Sequence, residues 1–251
     1  MAKIVSVHSF RGGTGKSNIT ANLAALVAMS GGRVGIVDTD IASPGIHVLF
    51  GMKEDTIVHS LNDYLWGRCT IQQTARDVTD RAGREIPGRI FLVPSSVEAD
   101  EIGRVLSEGY DVGLLNEGFR HLIEDFDLDL LLVDTHPGLN EDTLLSVAIS
   151  DLLLIILRPD QQDYLGTGVA VEIARRLRVP QMMLVVNKVP AVFSAAEVKA
   201  RVEEAYGVEV AAVLPHSDEM MVLASGGVFV TRYPMHPMAA NLKPLAERLA
   251  V

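Results

Sequence analysis

Thiol chemistry is nearly absent from this sequence: Cys69 is the only cysteine among 251 residues. One cysteine cannot close an intramolecular disulfide, and it excludes zinc or iron–sulfur frameworks built from several cysteines of one chain. A reducing cytoplasm is the expected setting. Long apolar runs are missing too. The most apolar stretch, Leu152 to Leu157, is far too short to cross a bilayer. The opening MAKIVSVHSF has neither the apolar core nor the cleavage site of a signal peptide and reads as a first strand. Basic charge is in deficit, with 22 Lys and Arg against 32 Asp and Glu and a net charge of −10. That balance opposes general affinity for nucleic acid or anionic lipid. No linker, low-complexity tract or repeat interrupts the chain, so the expectation is one domain over 1–251, large enough to bury roughly 70 to 75% of its surface.

Apolar, β-branched segments recur at Ile4–Val7, Val34–Val37, Ile90–Val93, Leu130–Val133, Leu152–Leu157, Met182–Val186 and Val208–Leu214. Helical spacing fills most of the gaps, at Ser17–Met29, Glu101–Phe126, Thr143–Ile149, Gln161–Leu177 and Ala195–Tyr206. Strands that are apolar throughout and alternate with helices predict an α/β fold, a mostly parallel twisted sheet with helices on both faces. Ligands of such sheets bind beyond the carboxyl ends of the strands. The charged stretch Gln72–Arg89, with turn signals at Ala82-Gly83 and Pro87-Gly88, reads as a surface excursion. The pairs Met182-Met183 and Met220-Met221 read as packing residues.

Between the first strand and the first helix stands RGGTGKS, Arg11 to Ser17. Gly12, Gly13 and Gly15 allow the backbone amides of this loop, with Thr14, to fold around an anion, and the helix N-terminus adds partial positive charge. Lys16 would reach the β and γ phosphates of a nucleoside triphosphate, and Ser17 would offer its hydroxyl to Mg²⁺. Asn18 is placed for the α phosphate or belongs simply to the first helical turn. A dinucleotide fingerprint fails, because Asn18 stands where its third glycine is needed. Asp134 ends an apolar strand, where it faces the ligand or serves as a helix N-cap. Asp38 and Asp40, two apart, share one side if the chain stays extended, and either could cap a loop instead. Asn187 closes the LVV run and offers a donor and an acceptor.

These motifs resemble the MinD/ParA class of P-loop ATPases. R-G-G-T-G-K-S is similar to its deviant Walker A loop, K-G-G-x-G-K-[ST]; VDTDIASPGIH (37–47) looks like its switch I, and LLLVDTHPGLN (131–140) like its Walker B and switch II. LVVNKV (184–189) matches the adenine-reading strand, and VLPHSDEMMVLASGGVFV (213–230), with Pro215, the late strand and helix beside the base. The order is the family's, over nearly the whole chain. The resemblance implies ATP and Mg²⁺, with Asp134 and Asp38 in the metal's shell, Asp40 orienting the attacking water and Asn187 reading adenine. It further implies an ATP-dependent homodimer in which slow, partner-stimulated hydrolysis times the positioning or partitioning of a cargo. Two positions depart from the pattern. Arg11 replaces the signature lysine that reaches across the dimer, and His136 stands where proline is commoner. A lone histidine beside a loop proline reads as structural or solvent-facing.

Other readings stay open. A metabolic ligase of the dethiobiotin synthetase type shares the P-loop, but the Arg11-Gly12-Gly13 opening argues against it. A tyrosine kinase of related fold would have a tyrosine-rich tail, and NLKPLAERLAV has none. Nitrogenase reductases and iron–sulfur carriers need paired cysteines, against which Cys69 stands alone. An adaptor that binds ATP with little hydrolysis remains if Arg11 fails to replace lysine. Leu242, Leu245 and Leu249 have the spacing of a helix face packed on the domain, so no stable membrane anchor is expected. Arg175, Arg176 and Arg178 are the local exception to the acidic charge. A solvated helix end is their plainer reading, with nonspecific DNA the disfavoured one.

Overall fold

The computed structural model describes residues 2–83 and 85–250. Its strands are β1 (Lys3–His8), β2 (Arg33–Asp38), β3 (Arg76–Asp77), β4 (Arg89–Val93), β5 (Leu130–Asp134), β6 (Leu152–Leu157), β7 (Gln181–Val189) and β8 (Val210–Pro215). They form one sheet in the order β3-β4-β2-β5-β1-β6-β7-β8. Every pairing is parallel except that of β3 with β4. The central strands are apolar at consecutive positions because each face of the sheet is covered. Leu130 and Leu132 of β5 enter one core with Leu152 and Leu154 of β6, whereas Leu131 and Val133 turn into a second and Leu153 and Ile155 into a third.

The first core holds the helix Lys16–Met29 and the last helix, Pro237–Leu249. The former is buried almost all round, and its run of Ala21, Ala24, Ala25 and Ala28 lets the sheet and the last helix approach it from two sides. Leu242, Leu245 and Leu249 fill that contact as their spacing predicts. The opposite face carries Gln161–Arg176 and Ala195–Tyr206 at one end and Val112–Asp125 at the other. No helix among the described residues is long and apolar enough to cross a membrane.

Several expectations need correction. The helical stretch Glu101–Phe126 is two helices, Ala99–Glu108 and Val112–Asp125, broken where Gly109 turns to a φ of 67° and Asp111 caps the second. Gln72–Arg89 is no simple surface excursion. It supplies β3, and Val78 and Ala82 enter the first core, with Thr231 Oγ1 donating to the Ala82 carbonyl at 2.6 Å; Arg84 lies outside the described residues. Met183 is buried as a packing residue should be, but Met221 is largely exposed at a pocket rim. Arg175 donates to the Tyr206 carbonyl and Arg176 pairs with Glu172, contacts of a solvated helix end.

The turn before β4 packs its backbone on the end of the first helix. Gly88 N donates to the Ala28 carbonyl at 2.9 Å, and a Cβ on Gly88 would stand 2.1 Å from the Gly32 oxygen. Gly88→Ala is therefore expected to destabilise the protein by about 1–3 kcal/mol, the usual range for overpacking. Gly103→Ala, mid-helix and in open space, should stabilise it by up to about 1 kcal/mol. Urea denaturation midpoints check both.

Candidate functional site

The sheet delivers its polar residues to one edge. His8, Asp38, Asp134 and Pro215 end β1, β2, β5 and β8, and Asn187 lies near the end of β7. The register sets Asp134 beside both Val7 and Asp38. The loop after β1 takes left-handed φ values of 78° at Gly13 and 94° at Gly15, the residue that opens the first helix. No side chain caps that helix, and its first turn has no acidic residue, so the amides there remain available to an anion. Gly15 is also required by space, since a Cβ would lie 2.5 Å from Asn187 Nδ2.

Asn187 holds the loop from the side, with Nδ2 donating to the Thr14 carbonyl at 2.7 Å. Lys188, at a φ of 57°, adds Nζ to the Gly13 carbonyl at 2.8 Å. Beside them a cavity of about 390 Å³ is lined by Gly15, Asn18, Asn187, Pro215, Met220 and Leu242 among others. Its apolar floor and amide rim suit a flat heterocycle.

Beneath the loop lies a buried charge cluster. Lys16 Nζ donates to Asp134 Oδ1 at 2.9 Å and stands 3.7 Å from Asp40 Oδ2, with Lys16 only 6% exposed and Asp134 1%. Burial opposes the charge on Lys16, but Asp134, Asp40 and Asp38 outweigh it and hold the ammonium's pKa above its ordinary value. Asp38 is pushed well above the carboxylate range by burial first and then by Asp134. Its oxygens accept from Asp40 N at 3.1 Å and Gly45 N at 3.2 Å, so it braces the loop as well as facing the cluster. Asp134 Oδ2 is buried without a hydrogen-bond partner. An orphaned carboxylate oxygen in a cluster with more acid than base fits a hard cation. Ser17, half-buried in the first helical turn, makes no hydrogen bond among the described residues and could be a further oxygen ligand. No group of three or more His, Cys, Asp or Glu among the described residues is arranged to hold a metal by itself.

Asp40 is a separate case. Burial would raise its pKa, but a hydrogen bond from His136, the charge of Lys16 and the Ser43 hydroxyl hold it below the ordinary value. An ionised carboxylate only accepts, so His136 Nδ1 is the donor at 2.6 Å. His136 is thus not the idle residue its sequence context suggests. Arg11, by contrast, lies outside the cluster and is exposed, its guanidinium hydrogen-bonded to Gln162 Oε1. Gly12 is exposed on the loop's outer side. Sequence reasoning also missed Thr20, whose hydroxyl lies 3.3 Å from Asp134 Oδ1, one helical turn after Lys16. The helical i, i+4 spacing was the signal for it.

Known proteins are similar to this chain in sequence and in fold. A family described as NUBPL iron-transfer P-loop NTPase matches residues 1–70, the span from β1 through the phosphate loop and Asp40. An uncharacterized ATP-binding protein of Methanocaldococcus jannaschii is 27% identical over 99% of this chain and 88% of its own length. An iron-sulfur cluster carrier protein of Pyrococcus horikoshii is 29% identical over 73% of the chain and 60% of the carrier. In solved structures the fold recurs in the cell division ATPase MinD of Pyrococcus furiosus, at a TM-score of 0.81 and 21% identity over 99% of this chain and 98% of that one. It recurs again in MinD of P. horikoshii complexed with Mg-ADP, at 0.80 and 19% over 99% and 96%. The chain has the fold of the MinD structures, and its first 70 residues match a ParA-type P-loop NTPase model. Against the iron-transfer description stands the chain's own thiol content: its single thiol, Cys69, is half-buried, and burial raises its pKa.

His8, the last residue of β1, is the cluster's unexpected neighbour. Its Nδ1 lies 2.9 Å from Thr135 Oγ1, its Nε2 is buried without a partner, and burial, then Lys16 and His136, push its pKa from 6.5 to about 3. The unfolded chain takes up a proton near pH 6.5 that the folded chain refuses until about 3. Stability should therefore fall as pH drops through that window. Relative to His8→Asn, the wild type is expected to lose about 1.4 kcal/mol per pH unit between roughly pH 5.5 and 4.5, measured as the difference in urea unfolding free energy.

Proposed function

We propose that the protein is an Mg²⁺-dependent ATPase that dimerises when it binds ATP and acts as a nucleotide switch for the positioning or partitioning of an intracellular cargo. The observation that carries this reading is the Lys16–Asp134 pair with its orphaned Oδ2, set under an uncapped helix N-terminus and beside a cavity of heterocycle size. The adenine lies in the pocket between Asn187 and Pro215, and the amides of Gly12 to Asn18 receive the phosphates. Mg²⁺ held by Ser17 and Asp134, with Asp38 nearby, would neutralise charge on the β and γ phosphates. Lys16 shifts its charge from Asp134 toward the γ phosphate, and Asp40 aligns a water in line with the bond to be broken. Phosphoryl transfer needs positioning and charge neutralisation more than a strong base.

Arg11 serves the partner subunit in this reading. It keeps the signature lysine's charge and adds a planar fork able to bridge two phosphate oxygens. Its exposure and its link to Gln162 place it on the outer side of the loop, where a second copy can reach it. The setting is the cytoplasm, the activator or cargo is another protein, no stable membrane anchor takes part, and nonspecific DNA is the disfavoured partner. A cluster carrier is the second reading, favoured by the iron-transfer description of the matching family. Cys69 alone supplies too few ligands for it.

Lys16→Ala should abolish ATP binding by calorimetry, and equal affinity in wild type and variant would overturn the assignment. Arg11→Ala should bind Mg-ATP as a monomer, whereas Asp40→Ala should dimerise with ATP and fail to hydrolyse it. Light scattering with a phosphate-release assay separates the two. An Arg11→Ala dimer turning over at the wild-type rate removes the cross-subunit role.

A further inference from the structure

Asp40 is held by groups from three sources. Ser43 Oγ donates to Oδ1 at 2.9 Å from the same loop, three residues on. Lys16 Nζ faces Oδ2 at 3.7 Å, beyond hydrogen-bond distance. His136 Nδ1 donates to Oδ1 at 2.6 Å from the segment that leaves β5 directly after Asp134. That segment is itself tied down, since Thr143 Oγ1 donates to the His136 carbonyl at 3.2 Å and Gly138 N to the Ser9 carbonyl at 3.1 Å. Ser43 travels with Asp40, so it cannot fix the carboxylate relative to the sheet. Only Lys16 and His136 tie the side chain to another element among the described residues. A bound triphosphate recruits Lys16.

We infer that His136 is a positioning residue for hydrolysis: it anchors Asp40 Oδ1 to the end of β5 and leaves Oδ2 free to accept a hydrogen bond from the attacking water. The inference rests on the ATPase reading and adds a residue to it. Two donors on Oδ1 set the plane of the carboxylate, and the oxygen opposite keeps its lone pairs for a ligand. His136 Nε2 makes no hydrogen bond among the described residues, and the side chain is 31% exposed, so its removal leaves no large cavity. A carboxylate that swings by an ångström loses the in-line alignment on which the rate depends.

The test uses the full chain with saturating Mg-ATP, measuring the single-turnover hydrolysis rate, ATP affinity by calorimetry and the urea midpoint. Loss of one hydrogen bond to a charged group predicts a rate about 10- to 100-fold lower in His136→Ala, with affinity and midpoint little changed. His136→Asn, whose amide nitrogen can occupy the place of Nδ1, should recover most of the rate; His136→Gln, which projects its amide one bond farther, should not. A wild-type rate in His136→Ala overturns the role. So does an effect confined to affinity. Wild-type protein that binds Mg-ATP and never hydrolyses it overturns the ATPase reading itself, a result distinct from the others.

Discussion

The pair of Lys16 with Asp134 is the constraint around which the rest is arranged. An ammonium 6% exposed and a carboxylate 1% exposed, 2.9 Å apart, recover in mutual attraction much of what they lose in hydration, and little more. Such pairs are poor sources of stability, yet breaking one costs about 3–5 kcal/mol because a lone buried charge remains. The pair needs a rigid frame to hold its geometry, and the sheet supplies it. β5 lies between β1 and β2, with Asp134 in register with Val7 and Asp38. The loop that leaves β1 then turns Lys16 back over the same edge on a helix buried on nearly every side. Moving β5 by one residue would send Asp134 to the other face of the sheet.

The electrostatics of that edge are deliberately unbalanced. Asp38, Asp40 and Asp134 surround one ammonium, and a further base nearby, His8, is kept neutral by burial and by Lys16 itself. A protonated His8 would add a second positive charge from inside the protein and reduce the excess of acid that suits a divalent cation. Burying this imidazole with Nε2 unpartnered costs stability at low pH, and it keeps the cluster dependent on what binds there. Asp38 bends the same way. Its pKa is raised first by burial and then by the negative charge of Asp134 beside it.

The sequence revealed most of the frame for a simple reason. Strands covered on both faces must be apolar at consecutive positions, and every segment of that kind became a strand. β3 escaped because two residues, Arg76 and Asp77, paired at a sheet edge carry no pattern at all. The break at Gly109 escaped because helical spacing runs on through it, and only the backbone φ shows the stop. At the site, the glycines, Lys16, Asp38, Asp40 and Asp134 were legible from motif and strand ends. His8, Lys188 and His136 were not, since their roles come from contacts across the fold: His8 with Thr135, Lys188 with Gly13, His136 with Asp40. Position 136 left one trace, the histidine where proline is commoner.

Arg11 is held in place by a contact weak enough to be exchanged. Its guanidinium rests on Gln162, at the start of the helix after β6, near Arg158 and the buried Asp163 that pairs with it at 2.9 Å. A hydrogen bond between exposed side chains is worth on the order of 1 kcal/mol or less, since water competes for both partners. A phosphate from a second subunit would offer a charge-assisted, bidentate contact roughly twice as strong. The resting contact therefore holds Arg11 in a defined place and yields to a stronger anion. Gln162 parks the arginine without burying it, whereas Phe10, one residue earlier, packs so closely on Gly166 that a Cβ there would stand 2.0 Å from its ring. The backbone of the loop is fixed through Phe10 while the guanidinium of Arg11 stays exposed, the division of labour that the proposed contact between two copies of the chain would require.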